Sequence, residues 1–158
     1  MKKVAILAQK GGAGKTTVSI HLAVLAMQRD IASCIIDCDP QQLGTDWYEE
    51  RSDSYPPGVD GYQPEDRRLD QTGTLARMLR VAENDEYNMA IIDTVPHAAG
   101  AIGEAARAAD FCIVPCRPAI LDFKAIGKTI EILAAAKNLA PCCLTLTHLS
   151  AASARTAW

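Results

Sequence analysis

The stretch that most limits what this chain can become is Lys10-Gly11-Gly12-Ala13-Gly14-Lys15-Thr16-Thr17. It lies between the apolar run Val4-Ala5-Ile6-Leu7-Ala8 and the segment Val18-Ser19-Ile20-His21-Leu22-Ala23-Val24-Leu25. That order reads as strand, glycine-rich loop, helix. Residues 9–16 match the phosphate-loop pattern G-x-x-x-x-G-K-[ST] except at its first glycine, where Gln9 stands. Polyphosphate loses water when it binds and needs replacement donors. Gly11, Gly12 and Gly14, with Ala13 between them, let successive backbone amides turn inward as an anion nest. The helix that begins near Lys15 adds its positive end. At this spacing Lys15 reaches the terminal phosphates as a point charge, Thr16 coordinates magnesium, and Thr17 donates to the α-phosphate. A glycine-rich turn with no ligand is the plain alternative.

Lys10 is the departure that narrows the reading, because an ordinary phosphate loop needs no lysine before its glycine pair. K-G-G-x-G-K-T-T resembles the deviant Walker A box of the ParA/MinD ATPases. In that family the first lysine crosses a nucleotide-sandwich dimer to the partner's ATP. The resemblance implies that Lys10 makes hydrolysis depend on dimerisation; a solvated loop lysine is the alternative.

With 158 residues the chain has room for one domain with a real core. Its 49% hydrophobic and 22% charged residues fit a globular α/β protein and not a disordered one. A net charge of −3 gives no global attraction to DNA or acidic lipid, so any DNA contact must be local. Gln9 and Lys10 cut the first apolar run too short for a secretory signal, and no apolar window is long enough to span a membrane. A cytoplasmic protein is expected. Its six cysteines, at 34, 38, 112, 116, 142 and 143, mostly fall in or beside buried strands. In reducing conditions they read as core thiols, and C-x3-C on a strand is too extended for a zinc hook.

Along the chain, residues 17–28 have the apolar density of a helix on a sheet, with Ile20, Val24 and Met27 alongside Leu22 and Leu25. His21 reads as a helix-surface residue. Ser33–Asp37 is a buried strand, and Asp37-Cys38-Asp39-Pro40-Gln41 leaves its carboxyl end, where ligands of open α/β sheets collect. D-x-D-P-Q resembles the second motif of the ParA group. By that resemblance Asp39 orients the attacking water and Asp37 stands in the outer shell of magnesium; a turn capped by carboxylates is the alternative. Residues 42–51 suggest a short helix carrying Trp47 and Tyr48, and 52–68 a surface loop. Residues 72–83 form an amphipathic helix with Leu75, Met78, Leu79 and Ala82 inward. Its basic side, Arg67, Arg68, Arg77 and Arg80, reads as a solvated face more readily than a DNA contact.

Asn88–Asp93 is the next buried strand, and an acid closing an apolar strand is the Walker B arrangement, so Asp93 is expected to hold magnesium through water. Thr94-Val95-Pro96-His97 departs from the family pattern, which puts the local loop geometry in question; His97 is read as a bystander rather than a base. A helix over 98–109 and a strand over 111–115 follow. Residues 116–123 resemble the V-P-x-x-P-x-x-L-D segment of small ParF-type partition ATPases. Asp122 is expected to cap a helix from 123 to 138 with Ile126, Ile130 and Leu133 inward. A last strand is expected over 141–147.

The resemblance covers about residues 2–140 and implies a doubly wound, mainly parallel α/β P-loop ATPase domain over 1–147, incomplete at its C-terminal end. Residues 148–158 form an Ala/Ser tail without family pattern, as in a frameshifted or early-ended product. The function implied is DNA partition: an ATP-dependent homodimer, using ATP and magnesium, binds nonspecific DNA on the nucleoid and hydrolyses ATP when a ParB-like partner stimulates it. The catalytic set is Lys10, Lys15 and Asp39, and the magnesium set Thr16, Asp37 and Asp93. A MinD-like positioning ATPase, a dethiobiotin-synthetase-like ligase and a non-hydrolysing nucleotide-binding regulator are the alternatives. The first of these needs a membrane-binding tail that this sequence does not show.

Overall fold

A computed structural model describes residues 1–39, 74–136 and 140–147. The readings made above for residues 40–73, including Pro40, Gln41, Trp47, Tyr48, Arg67 and Arg68, lie outside it, as does the tail from 148. The described elements run β1 (Lys2–Ile6), α1 (Lys15–Met27), β2 (Ser33–Asp37), α2 (Thr74–Asn84), β3 (Met89–Asp93), α3 (Ala99–Ala108), β4 (Phe111–Cys116), α4 (Ile120–Ala135) and β5 (Cys142–Leu146). All five expected strands are present. They form one sheet in the order β2-β3-β1-β4-β5, with every pairing parallel.

Parallel strands joined through helices must be covered on both faces, so their sequences read as nearly continuous apolar runs. Side chains alternate between those faces. Ala5, Leu7, Cys34, Ile36, Ala90, Ile92, Cys112 and Val114 join α2, α3 and α4 in one core, while Ile6, Ile35 and Ile91 join α1 in the other. The chain winds from β1 toward β2 and β3, then crosses to β4 and β5. Strand order therefore reverses at β1, and the loop leaving β1 opens at the switch point where α/β sheets take ligands.

Two helices turn differently from the expectation. The innermost stripe of α1 is Ser19, Ala23 and Ala26, whereas Leu25 is 47% exposed. Small residues let α1 lie close to β1, β2 and β3, and the larger Ile20, Leu22 and Met27 fill the flanks. Helix α4 starts three residues earlier than expected; Asp122, Thr129 and Leu133 are buried on it, and so is Ala136 at its C-cap. Ile130 is 56% exposed instead of inward, because a buried acid and a threonine on this face are drawn toward the glycine-rich loop. Helix α2 follows the expected pattern, with Leu75, Met78, Leu79 and Ala82 buried and Arg77 and Arg80 outward. Of the cysteines, Cys34, Cys112 and Cys116 are buried as expected, while Cys142 and Cys143 lie exposed on the edge strand.

The α1 packing makes a prediction that reverses a hydrophobicity-based choice. Ala23→Leu should overpack the α1–sheet interface and cost about 1–3 kcal/mol, while Leu25→Ala should cost less than about 1 kcal/mol. Urea unfolding of both variants tests this, and a larger loss at Leu25 would contradict the packing.

Candidate nucleotide site at the carboxyl edge of the sheet

Beyond β1 the backbone stays in the sheet for one more bond, Leu7 N–H to Ile113 O at 2.9 Å. Gln9 is then held from two sides. Its N–H donates to Thr129 Oγ1 of α4 (3.2 Å), and its carbonyl accepts from the His97 N–H (3.1 Å). Within the loop only Gly12 (φ +69°) and Gly14 (φ +91°) take the left-handed conformation that requires glycine. Position 9 does not, which explains how the chain tolerates Gln9 where the general pattern has glycine.

Gly14 is the N-cap of α1 and offers no side-chain cap, and the first turn carries no acidic residue. The leading amides of α1 are left without the usual side-chain acceptor and its positive end is unscreened, which suits an anion. Lys15, in that first turn, is buried at 7% exposure. Burial lowers its pKa, and the charges of Asp93 and Asp39 oppose that shift.

The acids come from the neighbouring strands. Asp37 and Asp93 close β2 and β3 as register partners, and both are buried. The Asp39 N–H donates to Asp37 Oδ1 (3.0 Å), and the Cys38 N–H donates to Asp93 O (2.9 Å), so the turn after β2 is fixed against the acids. Asp93 is 1% exposed, and neither of its carboxylate oxygens has a partner of good hydrogen-bonding geometry among the described residues. Burial pushes its pKa up to about 7. The nearby Thr16 hydroxyl works against that rise, Asp37 adds to it, Lys15 opposes it and Asp39 adds to it. A buried, unsatisfied carboxylate beside a threonine hydroxyl and a second acid is a hard-oxygen donor set, and it fits magnesium. Soft-metal chemistry fits less well: burial pushes the thiols of Cys34 and Cys38 up to about 12 and that of Cys112 to about 11, away from the thiolate a metal needs.

Lys15, Thr16, Asp37, Asp39 and Asp93 thus meet at one edge. Lys10 takes a place the sequence did not suggest. Its Nζ pairs with Asp122 Oδ1 of its own chain, and Arg117 holds the same carboxylate through Nε to Oδ2 (2.6 Å). Asp122 is accordingly not a cap: the N-cap of α4 is Ala119, with no side-chain cap bond, and Asp122 lies a turn further on, buried between two cations. His97 is exposed at φ +62° and touches the loop through its backbone. Thr94, Thr129 and Thr147 also escaped the sequence reading. Their hydroxyls bond to the loop or to β1, with Thr94 donating to Ile6 O at 2.8 Å. An isolated threonine far away in sequence gives no signal of such a contact.

Residues 4–150 match the family model described as the CobQ/CobB/MinD/ParA nucleotide binding domain. The chain belongs to this family. Within it, the chain is 30% identical over 129 residues to the Maintenance of carboxysome distribution protein A of Gloeobacter kilaueensis, covering 81% of this chain and 55% of that one. It spans between 55% and 61% of the length of the curated relatives it matches. Among solved structures it resembles apo McdA of Cyanothece (TM-score 0.72, 20% identity, 95% of this chain and 75% of that one). It also resembles cobyrinic acid a,c-diamide synthase of Mycobacterium smegmatis with ADP and magnesium (0.67, 20%, 91% and 72%), and pNOB8 ParA bound to nonspecific DNA (0.70, 19%, 98% and 70%). These likenesses establish the doubly wound ParA/MinD-type fold.

The Asp93 environment predicts a pH dependence. An ordinary aspartate in the unfolded chain loses its proton near pH ~3.9, whereas folded Asp93 keeps it to about 7. Between those values the folded state binds the extra proton. The contribution of this group to stability is therefore full below about pH 4 and is lost as pH rises to about 7. In EDTA without nucleotide, Asp93→Asn should be more stable than the parent at pH 7.5, with the gain shrinking toward pH 4.5. Urea midpoints that stay parallel across this range would contradict the assignment.

Proposed function

We propose that the chain binds ATP with magnesium, dimerises on ATP and hydrolyses it, serving DNA partition or the positioning of another cargo in the cytoplasm. The observation that carries this reading is Asp93, a buried carboxylate with no donor of good hydrogen-bonding geometry among the described residues, beside the Thr16 hydroxyl and Lys15 at the uncapped start of α1. Such an arrangement is costly when empty and is relieved by a cation and phosphates.

In this reading the amides of residues 11–17 and the Lys15 ammonium bind the phosphates, while Thr16, Asp37 and Asp93 hold the metal, directly or through water. Magnesium bound there supplies charge neutralisation at the phosphate oxygens. Asp39 follows β2 and has its backbone fixed on Asp37, so it can orient a water toward the γ-phosphorus. The P–O bond to the β-phosphate breaks, giving ADP and inorganic phosphate. Phosphoryl transfer needs mainly such positioning and charge stabilisation. The ATP-dependent homodimer, the ParB-like stimulator, nonspecific DNA and nucleoid association when ATP is bound are carried over from the family. They are supported by the family match and by the DNA-bound fold relative. No helix among the described residues is long and apolar enough to cross a membrane.

For Lys10 to act across a dimer it must leave Asp122. Asp39→Ala should stall hydrolysis and accumulate a dimer with magnesium and ATP but not with ADP, and Lys10→Ala should lose that dimer. Light-scattering mass measures both. A monomer throughout, with ATP bound, would favour a non-hydrolysing nucleotide-binding regulator.

A further inference from the structure

Thr147 follows the last residue of β5 and is 134 positions from Ala13, yet its hydroxyl lies 2.9 Å from the Ala13 carbonyl oxygen. The same hydroxyl is 3.2 Å from Cys116 O, but that oxygen already accepts the Thr147 N–H at 2.7 Å. A hydroxyl has one proton to give, and the nearer acceptor, Ala13 O, has no backbone donor among the described residues. The side chain also packs against the loop: a Cβ on Gly14 would meet Thr147 Cγ2 at 3.2 Å and Thr147 Cβ at 3.4 Å. Absence of a side chain at Gly14 therefore lets the end of β5 reach the loop.

We propose that Thr147 is a positioning residue for the phosphates of the bound nucleotide, acting through the Ala13–Gly14 peptide. This inference rests on the nucleotide-binding reading above. The carbonyl of Ala13 and the N–H of Gly14 belong to one planar trans peptide and point in opposite directions. A donor on the β5 side that fixes the carbonyl fixes the N–H toward the other side, away from β5. Gly14 at φ +91° has ample backbone freedom, so without the Thr147 bond this peptide can rotate and spoil one amide of the anion nest. The partner for the Ala13 carbonyl comes from the residue that follows β5, the strand farthest along the sheet from β2, so the loop is braced against the end of β5 as well as against α4 and the loop after β3.

The test compares the full chain with Thr147→Val, which keeps the shape and removes the donor, and Thr147→Ser, which keeps the donor. Affinities for magnesium-ADP and for pyrophosphate, which has phosphates and no nucleoside, are measured by calorimetry, with urea midpoints of the ligand-free proteins alongside. Thr147→Val should weaken both ligands about five- to tenfold, the effect of about one net hydrogen bond, and Thr147→Ser should restore them to within about twofold. If the valine variant does not fold, serine against Thr147→Ala makes the same comparison. Equal affinity of the hydroxyl-bearing and hydroxyl-free proteins overturns the inference, even where their stabilities differ. Failure of the parent chain itself to bind ADP overturns the nucleotide reading along with it.

Discussion

An amide N–H can face a phosphate only if the carbonyl of the same peptide faces the other way and is satisfied there. This constraint organises the molecule. The Gln9 carbonyl is taken by the His97 N–H from the loop after β3, the Ala13 carbonyl by Thr147 from the end of β5, and the Gly14 carbonyl by the Val18 N–H of α1. Three elements, brought to one edge by the parallel sheet, are needed to turn one short loop inside out. A phosphate loop is thus a property of the sheet edge as much as of its own residues, and glycine is required only at Gly12 and Gly14, where φ is positive.

The charges at that edge are arranged in two unequal groups. Lys15, Asp37 and Asp93 are buried together, and the unfavourable balance is visible in Asp93, whose proton is held to about 7. Ligand chemistry can relieve that imbalance. Asp122 is buried too, but it is fully matched, by Lys10 on one oxygen and Arg117 on the other. Removing one partner from a buried pair is ordinarily expensive because it strands the other charge. Arg117 changes that: it contacts Asp122 through Nε and also lies 3.4 Å from Oδ1 through a terminal nitrogen. Asp122 would therefore stay paired with Arg117 if Lys10 left it, so the ion pair within the chain does not by itself lock the lysine there.

Much of this fold is legible in the sequence because the sheet is parallel. Buried strands such as Cys34–Ile36 and Ala90–Ile92 are apolar on both faces, and the acids Asp37 and Asp93 mark their carboxyl ends, so strand positions and the site edge can be read directly. Helix α2, wet on one side, shows its period equally clearly. The errors have one cause. On α1 the strongest hydrophobic residues are not the deepest ones, because close approach to the sheet selects Ser19, Ala23 and Ala26. On α4 the inward stripe includes Asp122 and Thr129, which no hydrophobic pattern would choose.

What local pattern cannot encode is a contact whose two halves are each unremarkable. Thr129, Thr147 and Arg117 look like ordinary surface choices until the winding order sets them beside Gln9, Ala13 and Asp122. The loop motif identifies the ligand class because its chemistry lies in consecutive residues. The tuning of that loop comes from partners more than a hundred positions away for Gln9 and Ala13, and it depends on β4 and β5 being laid on the far side of β1. Leu144 and Leu146 are about half exposed on that last strand, and Thr147 continues from it into the loop. A contact that steadied or shifted β5 would therefore reach the Ala13 carbonyl through Thr147, which ties the far end of the described sheet to the glycine-rich loop.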